Sequence, residues 1–197
     1  MTSKETSQAG LPVRLFKTVN AWDAWLSQHG TLAKGLWLQI AKRGASLKSV
    51  TYGDALETAL CHGWIDGQKK ALDEVSWLQR FSPRGARSIW SKVNRAKAER
   101  LIDEGRMQAS GLAAIEKAKA NGEWGRAYDG QRTAAPTEEF ETLLAERPRA
   151  KAFYQTLNSQ NRYAIHFRIR GAKKAETRLK RIERFIDMLE RGEKLHP

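Results

Sequence analysis

Between Val19 and His29, Trp22, Trp25 and Leu26 recur three and four residues apart, which puts them on one face of a short amphipathic helix. Asn20 is available to cap that helix and Gly30 to stop it. The pattern then changes: residues 35–41 form a short apolar run that alternates at its far end and is closed by Lys42, Arg43 and Gly44, as a buried strand would be. Thr51, Tyr52, Gly53 and Asp54 open the next helix. Its inner face is Ala55, Leu56, Ala59 and Leu60, and Gly63 ends it. Residues 64–68 and 75–81 are short aromatic runs separated by residues 69–74, where Asp73 and Glu74 suit a turn. This predicts an antiparallel hairpin beside the first strand.

Ser82, Pro83, Arg84 and Gly85 interrupt the pattern, and residues 88–102 resume it as a helix with Ile89, Trp90, Val93, Ala96 and Leu101 inward. Helical periodicity returns at 112–120, 138–144, 149–157, 161–170 and 175–191. In the last of these, Leu179, Ile182, Phe185, Ile186 and Leu189 share a face, and Gly192 lies just beyond. Residues 128–136, with Asp129, Gly130, Gln131 and Thr133, read as a connector. The predicted class is α+β: a small antiparallel sheet packed with helices, followed by an all-helical C-terminal module. A flexible leader over 1–12, an α+β domain over 13–130 and a helical module over 136–197 are expected.

Composition narrows the function more by exclusion than by assignment. With 41% hydrophobic and 29% charged residues, the 197-residue chain has the balance of a globular protein. The single Cys61 has no disulfide partner, so a cytoplasmic setting is the default. No window approaches the length of a membrane span, and the first dozen residues lack a signal-like apolar core, so no membrane insertion is expected. Dinucleotide, Walker, zinc-protease and serine-elbow motifs are absent, and the four histidines are scattered. Neither a cofactor nor a metal is expected. Cys61 and His62 are adjacent, but neighbours on a helix point about 100° apart, which favours a core cysteine over a nucleophile.

The net charge of +13 raises the prospect of an anionic partner. Two regions could hold one. In the first, Asp66, Arg80, Ser82, Arg84, Ser88 and Trp90 fall on the predicted hairpin and on the loop entering the next helix. A helix N-terminus with Arg84 and Arg87 beside it would suit a small anion or phosphate, and Asp66 could act as an acid or base, with Arg80 and Arg84 holding the anion, in an enzyme acting on a small anionic metabolite. The competing reading is a structural ion-pair network among core tryptophans. In the second region, the C-terminal helices are strongly basic, and Arg178, Arg181 and Arg184 are the candidate nucleic-acid contacts. Tyr163 and Phe167 are assigned there to the core, which leaves few rings on which bases could stack. A solvated basic face is the alternative.

Several of these segments resemble the YdeI/OmpD-associated family of bacterial proteins: residues 49–52, 55–57, 61–68 (Cys61 through Trp64 to Gln68), 79–84 and 88–94. Gly105 to Met107 and Asn161 to Ile165, followed by Ala172 to Lys174, Glu176 to Arg178, Arg181 and Ile182, extend the similarity. Members are described as bacteriocin-protection or outer-membrane-protein-associated, without an established reaction. The resemblance supplies no catalytic residues; together with the polar cluster, it leads to the expectation of a binding or protective protein that acts on a small anion or a protein partner. It also implies that the segment from about Pro136 is the family's helical module. Gly85 stands where a second basic residue would be expected after Arg84, which weakens an anion clamp.

Overall fold

The computed structural model describes residues 7–131 and 133–197. The chain divides after Ala127 into two compact units. Among the described residues the first unit holds five strands: β1 (Ser7–Gln8), β2 (Leu11–Arg14), β3 (Leu36–Ala41), β4 (Trp64–Ala71) and β5 (Ser76–Pro83). Its helices are α1 (Val19–His29), α2 (Tyr52–Cys61), α3 (Lys92–Asp103) and α4 (Ala109–Ala120). The second unit holds α5 (Glu138–Ala145), α6 (Pro148–Thr156), α7 (Ser159–Arg170) and α8 (Ala175–Glu190). The class is α+β, with strands confined to the first unit.

The hairpin forms as expected: β4 and β5 are antiparallel, and β5 also pairs antiparallel with β3. The sheet order is β1-β2-β3-β5-β4. Two corrections concern its other edge. β2 runs parallel to β3, with Val13 opposite Trp37, so the sheet is mixed and not purely antiparallel. Residues 7–12, expected as part of a flexible leader, supply β1 and the start of β2; residues 1–6 lie outside the described residues.

Side-chain caps start the first two helices. Thr18, not Asn20, caps α1 by accepting from the Ala21 amide at 3.2 Å, and Thr51 caps α2 through the Asp54 amide. Gly63 ends α2 at φ 74°, where a Cβ would come within 2.7 Å of the Ser110 carbonyl, so α2 turns into β4 at a position reserved for glycine. One side of the sheet buries Leu36, Leu38, Ile40, Trp64 and Phe81 in a cluster with Trp22, Leu26, Ala55, Ala59 and Leu60 of α1 and α2. Buried Gln79 donates through Nε2 to the carbonyls of Gly67 (2.9 Å) and Gln68 (3.2 Å), and so satisfies the backbone where the β4–β5 register shifts between Asp66 and Lys69.

In the second unit Phe140, Ile165, Ile169, Ile182, Ile186 and Leu189 form a separate apolar core. A buried amide completes it. The Asn161 side chain accepts from the Leu195 and His196 amides at 3.0 and 2.9 Å and donates to the His196 carbonyl, so its main polar capacity goes to fastening the chain end onto α7. Among the described residues no helix is long and apolar enough to cross a membrane.

Candidate functional site

The six hairpin and loop candidates do not all converge. Antiparallel partners project to the same side of a sheet and successive residues to opposite sides. Asp66 lies opposite Phe81, on the face that carries the core, whereas Arg80 lies opposite Trp37 on the other face. Asp66 and Arg80 therefore share neither an ion pair nor a concavity. Asp66 instead accepts a 2.7 Å hydrogen bond from the Tyr52 hydroxyl at the start of α2. Burial, reinforced by this carboxylate, raises the Tyr52 pKa above its ordinary value, so the phenol stays protonated and keeps the bond. Ser82, opposite Ile65, is partly buried near the end of β5.

Arg84, Ser88 and Trp90 do come together. The Arg84 guanidinium carbon sits 3.5 Å from the centroid of the buried Trp90 ring, and Nη1 donates to the Ile89 carbonyl at 3.2 Å. Trp90 is braced behind by Trp124, edge-on at 4.8 Å. The loop between them is closed on itself: the Ser88 amide donates to the Gly85 carbonyl, and the Gly85 amide donates to Ser88 Oγ at 2.9 Å. The following helix starts later than its apolar pattern suggests, at Lys92, because Ser91 Oγ accepts from the Asn94 amide at 3.1 Å. Ser82 to Ser88 thus does not present a helix N-terminus to an anion. Two residues not singled out in the sequence, Lys117 and Asn121 of α4 and its cap, line the same recess as Arg84, Ser88 and Trp90. Their only sequence signal was the 3.6-residue period of α4. The recess holds about 10 Å³, room for about one water.

Cys61 and His62 are both buried. The Cys61 thiol is buried, which pushes its pKa up from the ordinary thiol range. His62 Nε2 is engaged 2.8 Å from Asp23 Oδ1 on α1. Among the described residues no three His, Cys, Asp or Glu side chains are grouped to hold a metal.

The basic C-terminal face is largely spent on the fold. Arg178 pairs with Glu139 of α5 at 3.0 Å, and Arg181 donates to the Arg168 carbonyl at the end of α7. Exposed Arg184 shares its surface with Lys180 but also with Glu176, Glu183 and Asp187. In contrast to the core placement expected for them, Tyr163 and Phe167 stand apart from the apolar core of the second unit. Phe167 is 36% exposed, 5.8 Å from the Tyr163 ring and edge-on to Tyr128 at 5.1 Å. On α7, Arg168 and Arg170 flank this aromatic ridge, but Arg170 is already paired with Asp129 at 3.2 Å and donates to the Ala135 carbonyl.

A mixed sheet packed with helices and a separate helical module define a two-unit α+β protein. The model for a family described as a domain of unknown function, DUF8412, matches residues 14–114, just over half of the chain, and the chain belongs to that family. Residues 133–192 match the model of the family described as Bacteriocin-protection, YdeI or OmpD-Associated. The YdeI/OmpD resemblance is thus shown for the C-terminal part, and the motifs between Ser49 and Asn94 fall within the other match. No curated protein and no solved structure matches the chain.

Proposed function

We propose that the protein is a binding protein that contacts an anionic group, a carboxylate or phosphate, carried by a larger partner, and that Arg84 on Trp90 is the contact. The observation that carries this reading is the 3.5 Å stack: it fixes the guanidinium plane before any ligand arrives, so less rotamer entropy is lost on binding. Lys117 at the same recess adds a second positive charge. Small-molecule sites usually need about 300–1,000 Å³. The recess beside Arg84, at about 10 Å³, is far smaller than that, so the anionic group is met at its mouth, which favours a partner's surface group over a whole metabolite as the ligand. Asp66 accepts the Tyr52 hydroxyl and lies on the opposite face of the sheet from Arg80, and in this reading it is given no part in the contact. A protective role, as in the description of the C-terminal family, would follow from occupying such a group.

Arg84→Gln tests this. Inorganic phosphate should raise the melting temperature of the wild type more than that of the variant, because the general strengthening of apolar burial by phosphate is common to both and cancels. The substitution itself should cost about 1–2 kcal/mol, the worth of a partly desolvated cation–π contact. Equal responses of the two proteins to phosphate would refute the contact.

The Tyr163–Phe167 ridge favours a second reading, in which α7 stacks the bases of a single strand beside Arg168. Anisotropy of a labelled oligonucleotide should show Phe167→Ala weakening binding about tenfold, the loss of one stacked base, with an unchanged salt slope. Arg168→Ala should flatten the slope by somewhat under one unit. Absence of binding at low salt would eliminate this reading.

A further inference from the structure

The second unit contains a groove between α5 and α6 that neither reading uses. Its volume is about 230 Å³. That exceeds the roughly 150 Å³ that seats a benzene ring and falls below the roughly 300 Å³ of drug-sized sites, so it suits one ring or one branched aliphatic group with a small polar head. Its floor is apolar: Phe140 is fully buried, Leu144 nearly so, and the Tyr154 ring meets Phe140 edge-on at 5.5 Å. Ala145, the last residue of α5, forms one wall.

The rim carries opposite charges, Glu141 on α5 and Lys151 on α6. No ion pair joins them, and neither side chain makes a hydrogen bond or salt bridge with another described residue. Elsewhere in this unit exposed carboxylates and cations do find each other, as Glu139 finds Arg178 and Glu176 finds Lys180. Two uncommitted charges of opposite sign at the mouth of one apolar groove are complementary to a molecule that carries both signs on a short frame.

We propose that this groove binds a small zwitterion with one apolar group, a free amino acid with an aromatic or branched side chain. The side chain lies against Phe140, Leu144 and Tyr154, the ammonium meets Glu141, and the carboxylate meets Lys151. The whole site lies within the residues that match the Bacteriocin-protection, YdeI or OmpD-Associated family, so it belongs to that module and is independent of the Arg84 contact.

The test is an NMR titration of the full chain with L-phenylalanine, with phenylacetate and phenethylamine as probes that each lack one charged end. Saturable shifts are expected for residues of α5 and α6. Glu141→Gln should weaken L-phenylalanine and phenethylamine about tenfold and leave phenylacetate unchanged, and Lys151→Met should weaken L-phenylalanine and phenylacetate and spare phenethylamine. Both substitutions are at exposed positions, and Ala145→Trp, also exposed, should fill the groove and abolish all three interactions while the circular dichroism stays native. No saturable shifts with any probe, or shifts that survive Ala145→Trp, would overturn the site. Equal binding of all three probes regardless of the charge variants would overturn the zwitterion.

Discussion

Trp22→Ala is expected to destabilise the first unit by about 4 kcal/mol, within the range for emptying a large aromatic position in a core. Trp22 is fully buried. Its ring stacks on Trp25 at 5.6 Å, meets Trp64 at right angles at 6.3 Å and lies 5.7 Å from Phe81, so one side chain joins α1 to the sheet. Its indole Nε1 donates to the Ala55 carbonyl at 3.1 Å and ties α1 to α2 as well. Domains of this size are stable by only about 5–15 kcal/mol, so the loss is a large share of the total. Trp22→Phe keeps the ring contacts and should cost less than half as much. Urea denaturation followed by circular dichroism measures both. A change below about 1 kcal/mol for Trp22→Ala would mean that the aromatic cluster is not what holds the helices to the sheet.

The second large effect depends on pH. His166 is 3% exposed, its Nε2 lies 2.8 Å from the Tyr154 hydroxyl, and its Nδ1 is buried without a hydrogen-bond partner among the described residues. Burial first, then the positive charges of Arg170 and Arg162, push its pKa down to about 4. The neutral ring also packs edge-on to Phe140 of α5. In the unfolded chain a histidine titrates near 6.5, so the unfolded state takes up the proton first. Stability from this group is therefore intact above about pH 6.5, declines as the pH falls toward 4, and changes no further below that. The total loss is about 3 kcal/mol, since each tenfold difference in proton affinity between the folded and unfolded chain is worth about 1.4 kcal/mol. His166→Gln retains a partner for Tyr154 and removes the titration. Unfolding free energies measured from pH 7 to 4 should diverge between the two proteins by that amount, and parallel curves would show that His166 is not held neutral.

The parts of this architecture that rest on local chemistry were legible. α2 is announced by Thr51, its apolar face and Gly63, and the hairpin by two aromatic runs too close together for any other connection. The parts that rest on distant pairing were not. β2 is four residues long, contains Pro12 and takes its place only by lying parallel to β3 across the whole of α1, with no turn residue to signal it. The face on which Asp66 projects depends on the register of β4 against β5, and a one-residue difference in register moves a side chain to the other face. That is why Asp66 and Arg80 looked like partners and are not. Phe167 failed differently: an aromatic at helical spacing is ordinarily core, and only the packing of α7 shows that its stripe of Asn161, Ile165 and Ile169 faces inward instead.

Arg84 and Trp90 were legible as residues but not as a pair, since their contact is made by a loop that closes through Ser88 and by a helix that begins four residues late. The proposal that this pair meets an anionic group on a partner is tested most directly by NMR, following the Arg84 guanidinium Nε–H and the Trp90 indole N–H during a titration with inorganic phosphate. The account predicts that both resonances move together along one saturating curve and that neither curve appears in Arg84→Gln. Phosphate shifts confined to Lys180 and Arg184 on α8, with Arg84 and Trp90 unmoved, would contradict it.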